Sequence, residues 1–473
     1  MIAGRDSPAQ GAFRDEILPG VRAAVGIFLV LLIARCFLLE PSHVPTGSMA
    51  PHRLGVHLKI DCVECLFEFA VGIGDDGSMP SPLCPNCGSR QPRSSGAEPV
   101  AIAGDRLWIE KAAWNFVAPE RWDEAVFYAP DAPTTPHLKR IVGLPGESVR
   151  IVDGDIFVDG IRARKNARQR HRTAVPVFDA NFMPPEGKRP ARWRFEVEGG
   201  EKTRVATLWK LCPQGGETPG PISLKRSHEP HADAAWDWAH YRHLCPIRDD
   251  YGPVRDFLAY DGAADGLGNV VGDLWFVARF SWRISSKIQL RLTTTEADIR
   301  VILDPGASDA DDRQRVTING SPLNVRWSNA SEPLISDRIL DSNRTVELSW
   351  VDRRLEFRID GEAMFDPVDI ETLPPRRPEE RFRDTPAGFG VMDGELRILE
   401  FRLFRDVHYV NRLATQPVIG IGVREPFELP SDGYFMLGDD SAHSVDSRFW
   451  NRGSFVPRSA LIGSPIASGW IAR

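Results

Sequence analysis

The chain lacks any excess of basic residues. Its 58 lysines and arginines stand against 65 aspartates and glutamates, a formal charge of −7, so no broad cationic surface recommends nucleic acid. Cysteine is scarce. Seven are present, four of them in two Cys-x-x-Cys pairs that leave Cys36, Cys212 and Cys245 over. That distribution suits a metal site better than a disulfide framework. Long helical patterns are few and no short-period repeat is present, whereas 38 prolines and 40 glycines punctuate the sequence; the balance predicts mostly strands and turns. With 42% apolar and 26% charged residues, wholesale disorder is excluded as well. At 473 residues one core does not suffice, and two to four domains are expected.

Long hydrophobic runs are also wanting. VRAAVGIFLVLLIARCFLL, Val21–Leu39, spans roughly 28 Å as a helix, about one hydrocarbon thickness. Its uninterrupted apolar part, Ala23–Ala34, has only twelve residues. Arg22 and Arg35 have the reach to snorkel to opposite interfaces. Three alternatives stand: a retained transmembrane anchor over 21–40 behind a tail at 1–20, a cleavable signal peptide, or a buried helix. Glu40-Pro41 follows in place of a small-x-small cleavage site, which favours the anchor.

Beyond it the expected fold is mainly β, in five pieces. Residues 41–60 carry the turn VPTGSMAPHRLG. Residues 61–99 hold the cysteine pairs and a linker, SRQPRSSGAEP. Residues 100–174 alternate in strand fashion, with a hairpin turning at Asp153-Gly154. Residues 175–415 change character: in TVELSWVDRRLEFRID, Val346, Leu348 and Trp350 face one way, as do Leu355, Phe357 and Ile359 after a turn. Period two with short turns predicts an antiparallel sandwich. Residues 416–473 return to the style of 100–174.

Chemistry points to Ser48 in the Thr-Gly-Ser-Met turn. A serine hydroxyl needs a base within hydrogen-bond reach, and a lysine serves if burial makes it neutral. HLKRIVGLPGESV, 137–149, offers Lys139. In a strand Lys139 and Ile141 share a face while Arg140 points away, so Lys139 is expected buried and Arg140 solvated.

VPTGSMAP, GDRLWIEK, HLKRIVGLPGESV and LGDDSAHSVDSRFW, in this order, resemble the sequence boxes of the type I signal peptidases, membrane-anchored Ser-Lys endopeptidases that remove leader peptides from exported proteins. The approach RCFLLEPSHVP, PERWDEAVFYAP before the lysine and the closing FVPRSALIG fit too. The resemblance implies a signal-peptidase-type antiparallel β catalytic domain with Ser48 as nucleophile and Lys139 as general base. It further implies Met49 in the substrate cleft and Thr46 joining the Ser48 N–H as oxyanion hole. Ser444 would hydrogen-bond the lysine amine, with Asp439, Asp446 and Arg448 in support. It implies preprotein signal peptides cleaved after small residues as substrates, no cofactor for catalysis, and a lipid bilayer as partner. The place implied is a bacterial-type cytoplasmic membrane, single-pass, with the catalytic domain outside the cytoplasm. The alternative is an anchored, non-catalytic scaffold acting through the sandwich. A self-processing peptidase is a third reading.

Two departures stand out. Ser441 occupies the place of the family arginine expected to pair with Asp439, and Asn451 replaces the glycine after Trp450. His43, His52, His57 and His443 are read as bystanders.

The cysteine pairs give C-x2-C-x18-C-x2-C: Cys62, Cys65, Cys84 and Cys87. Four thiolates at this spacing suit one structural zinc in a ribbon-like knuckle, with disulfides as the alternative. The 175–415 region loosely resembles the concanavalin-like jelly rolls. That implies a carbohydrate or protein ligand, or a spacer with none. Cys212 and Cys245 are read as packed residues or one disulfide.

Overall fold

The computed structural model describes residues 20–30, 32, 38–74, 77–92, 100–197, 222–225, 236–262, 268–282, 287–304, 314–328, 343–375, 384–392, 395–414 and 418–466. Residues 20–30 are helical, and Val21, Ile27, Phe28 and Val30 on this stretch are all more than half exposed. Among the described residues no helix is long and apolar enough to cross a membrane. The second half of the expected anchor, residues 31 and 33–37, lies outside them, as do Cys36 and Cys212.

Apart from short helices at Ala113–Phe116 and Ala167–Arg172 and a 3-10 turn at Arg458–Ala460, the regular structure of the remaining described residues is antiparallel β. One seven-stranded sheet runs in the order Leu39–His43, Arg106–Glu110, Leu461–Ile466, Glu124–Ala129, Ala132–Gly143, Gly433–Leu437, Val456–Pro457. Its two central members form a hairpin in which Ala125 lies opposite Lys139. A four-stranded sheet beside it includes Ser148–Val152 paired with Asp155–Val158. The turn between these two strands takes Asp153 at φ 50° and Gly154 at φ 96°, the left-handed pair that a two-residue hairpin requires. Chain from both ends of the sequence thus builds one unit.

The inserted stretch folds as two facing sheets of eight and seven strands. Val346 pairs with Ile359, Leu348 with Phe357 and Trp350 with Leu355 across a turn at Asp352-Arg353. The expected alternation holds here, and these residues pack into one core with Phe276, Phe389, Phe401 and Leu290 of the neighbouring strands and the facing sheet. Burying side chains of this size contributes about 1.5–3 kcal/mol each before chain entropy is deducted. A short hairpin, His57–Asp61 with Glu68–Gly72, leads from the Thr-Gly-Ser-Met turn into the cysteine pairs.

Candidate active site

The strand Leu39–His43 delivers the chain to the Ser48 turn. Asp105 grips both limbs of that turn: its carbonyl accepts from Val44 N at 2.9 Å, its N–H donates to Leu54 O at 2.9 Å, and its carboxylate accepts from Leu54 N at 2.8 Å. Inside the loop Ala50 N donates to Gly47 O at 2.7 Å. Thr46 Oγ1 stands 3.4 Å from Ser48 Oγ. Met49, expected along a cleft, is buried at 1% exposure.

Lys139 Nζ donates to Ser48 Oγ. Lys139 is buried, on the face shared with Ile141 and opposite Ala125 across the hairpin. Burial depresses its pKa to about 8, although Asp446, Asp440 and Asp439 pull the other way. Desolvation, helped by the Arg448 charge, outweighs the three carboxylates.

Arg140 corrects an expectation. It does point away from Lys139, but the opposite face is also covered, and Arg140 is buried. Its Nε donates to Asp439 Oδ1 at 2.8 Å and its Nη2 to Oδ2, while Nη1 donates to Trp122 O at 2.8 Å. Asp439 therefore has an arginine after all, taken from the lysine strand. His52 Nδ1 approaches the same carboxylate at 2.8 Å while its Nε2 lies 3.0 Å from Ala174 O. Burial opposes the charge on Asp439, yet the Arg140 guanidinium, with His52 beside it, holds it well below the usual carboxylate range.

Ser441 has its own use. Its Oγ accepts from Val410 N at 2.8 Å and from Arg448 Nη1 at 2.8 Å. Arg448 forks onto Asp446, Nε to Oδ1 at 2.9 Å and Nη2 to Oδ2 at 2.7 Å, and Asp446 accepts from Gly438 N at 3.0 Å. Ser444 does not meet its expectation. Its Oγ is buried beside Gly438 and, among the described residues, makes no hydrogen bond to Lys139 or to any other group. Asn451 N and Arg452 N bind the Asp131 carboxylate at 2.9 and 2.8 Å, a use for the position after Trp450. His52 and His443 both meet aspartates.

The family described as "Signal peptidase, peptidase S26" matches residues 87–201 and 300–470, more than half of the chain. The chain belongs to this family. Lys139 and the Asp439–Arg448 turn fall within the matched residues and Ser48 lies upstream of them. A probable signal peptidase I-2 of Synechocystis is 40% identical over 91 residues, covering 18% of this chain and 40% of the relative. The signal peptidase I of Pseudomonas fluorescens is 28% identical over 135 residues, 28% of this chain and 35% of the relative. That of Rickettsia canadensis is 23% identical over 188 residues, 40% and 55%. The chain thus spans about a third to just over half of the length of these relatives. Among solved structures, a Bacillus licheniformis β-glucanase aligns at 9% identity and TM-score 0.24 over 39% of this chain and 78% of that one. A Caenorhabditis elegans galectin aligns at 9% and 0.20 over 32% and 86%. Likenesses this slight say nothing about the insertion's role.

This signal peptidase relative carries a thiol cluster at the hairpin of His57–Asp61 and Glu68–Gly72. Cys62, Cys65, Cys84 and Cys87 are buried, their sulfurs all within 4.8 Å of one another. None is in a disulfide, nor is Cys245, so the disulfide alternative falls for these five. Cys62 and Cys87 sulfurs stand 3.5 Å apart and those of Cys65 and Cys84 3.6 Å. A tetrahedral zinc with bonds of about 2.3 Å sets thiolates roughly 3.8 Å apart, so the donor set fits. Gln91 Nε2 donates to Cys62 Sγ at 3.3 Å, and its Oε1 accepts from Val63 N at 2.9 Å, the kind of outer contact that orients a ligand. Asn86 ties the cluster to the sandwich by accepting from Asp179 N at 2.7 Å and donating to Phe182 O at 2.5 Å.

Sequence reasoning missed Asp105 and the partners of Arg140, His52 and Ser441. A strand pattern signals that Arg140 faces opposite Lys139. It carries no signal of what covers that face.

Proposed function

We propose that this protein is a membrane-anchored serine endopeptidase that removes N-terminal signal peptides by a Ser-Lys dyad. One observation supports the reading above others: the amine of the buried Lys139 contacts Ser48 Oγ, with its pKa brought to about 8. Neutral Lys139 takes the Ser48 proton as Oγ adds to the scissile carbonyl. The oxyanion rests on the Ser48 N–H and the Thr46 hydroxyl. The collapsing adduct expels the amine, which receives the proton from Lys139. Water, deprotonated by the same lysine, then releases the acyl group and restores the serine.

The exposed apolar helix at residues 20–30 supports the anchor; the same proposal sets the catalytic unit outside the cytoplasm. Placing the nucleophile turn just after an anchor holds it where a preprotein leaves the bilayer, which raises local concentration. Small residues before the scissile bond belong to the same proposal. The four thiolates are proposed to hold zinc as a folding staple; four ligands close its shell, so it takes no part in the reaction.

The test is preprotein cleavage by the purified full chain in detergent. Wild type should cleave, and Ser48→Ala and Lys139→Ala should each lose about a thousandfold or more in rate. A wild-type protein without activity would point to the scaffold.

A further inference from the structure

The insertion sends one stretch back onto the catalytic unit. The Tyr260 ring lies against Gly47, the residue before Ser48: a Cβ on Gly47 would sit 2.1 Å from Tyr260 Cε1. Gly72 is met by the same ring, its added Cβ falling at 2.4 Å. Tyr260 Oη donates to Val56 O at 3.1 Å, and its carbonyl accepts from Gly72 N at 2.8 Å. With Ala50 and Leu54 of the nucleophile turn, and Ala70 beside them, it forms a small apolar cluster of its own. The next residue, Asp261, reaches the other wall of the site. Its carboxylate lies 3.4 Å from His443 Nδ1, which is 3.0 Å from Asp440 Oδ1, and Asp440 N donates to Ser48 O at 3.2 Å.

Glycine at position 47 answers a steric need, since only a residue without Cβ lets the ring close on the turn. The same choice gives the backbone its widest conformational range immediately before the nucleophile. An oxyanion hole works only if its donors are fixed before charge develops. The ring that demands glycine is also what removes glycine's freedom.

We infer that Tyr260 is a positioning residue for the reaction: the inserted region completes the active site by pinning Gly47, and with it the Ser48 N–H and the Thr46 hydroxyl. The inference rests on the peptidase reading above. It makes the insertion a working part of the catalytic unit and not an appended module.

The experiment compares wild type, Tyr260→Phe and Tyr260→Ala as full chains in detergent, by steady-state cleavage of a preprotein. Tyr260→Phe keeps the ring on Gly47 and should hold kcat within about threefold. Tyr260→Ala should lose about a hundredfold in kcat, the scale of a 1 Å misplacement, with KM little changed. Wild-type kcat in Tyr260→Ala overturns the inference, as does an equal loss in both variants. If the alanine variant does not fold, Tyr260→Leu takes its place. Hydrogen exchange of residues 44–55 needs no turnover and separates the two ideas. Should wild type cleave nothing, the peptidase reading falls; faster exchange in Tyr260→Ala but not in Tyr260→Phe still supports the pinning, and equal exchange in all three sinks it.

Discussion

Arg140 and Asp439, 299 positions apart, form a two-armed ion pair inside the core. The strand that presents Lys139 to Ser48 on one face thereby clamps the C-terminal turn on the other. One short dipeptide, Lys139-Arg140, supplies both a desolvated amine and its support. Removing the guanidinium leaves Asp439 buried without its main partner. Arg140→Ala should therefore cost about 3–5 kcal/mol, read from urea unfolding. Arg140→Lys should recover only part of this, because an ammonium cannot fork onto a carboxylate. A variant within about 1 kcal/mol of wild type would remove the pair from this role.

Lys139 must be neutral to accept a proton. Its pKa of about 8, set chiefly by burial, means that the ammonium form prevails below that pH and the base above it. The rate parameter kcat/KM should climb with pH through about 8 and then level off. A pH series with a good preprotein substrate measures this directly; a flat profile from about 6 to 9 speaks against a titrating base of this kind.

Ser441 stands where an arginine was expected and binds two donors. Ser441→Ala strands the Val410 N–H and one Arg448 contact and should destabilise by about 1–3 kcal/mol. Ser441→Arg, although it restores the residue the resemblance calls for, adds a guanidinium against Arg448 and should be worse. Thermal or urea midpoints of the two variants check the order. A more stable Ser441→Arg would show that the pocket accepts the longer side chain.

The thiol cluster predicts one zinc per chain. Metal analysis of the full chain should give close to one equivalent, and Cys87→Ser should lose most of it. Chelation should also loosen the Asn86 bonds to Asp179 and Phe182, seen as faster proteolysis within residues 61–92. Less than half an equivalent in wild type removes the zinc proposal.

Much of this protein could be read along the chain. The hairpins at Asp153-Gly154 and Asp352-Arg353, the alternation of Val346, Leu348 and Trp350, the thiol spacing and the Ser48 and Lys139 boxes are local statements. They follow because backbone period dictates which way a side chain points. What stands opposite it is a different matter. Arg140 was expected in water because its own strand says only that it faces away from Lys139; the carboxylate that buries it comes from the far end of the sequence. Ser444 was expected on the lysine amine and instead faces Gly438, and Tyr260 had no motif at all.

Sequence alone settled the strand-rich class and the family, and singled out Ser48 and Lys139, since periodicity and spacing are properties of neighbours. Tertiary structure decided which charges are paired, how buried the Lys139 amine is, and which inserted side chain rests on the Ser48 turn. Those depend on distance in space, and a folded chain brings together groups whose separation in sequence carries no trace of it.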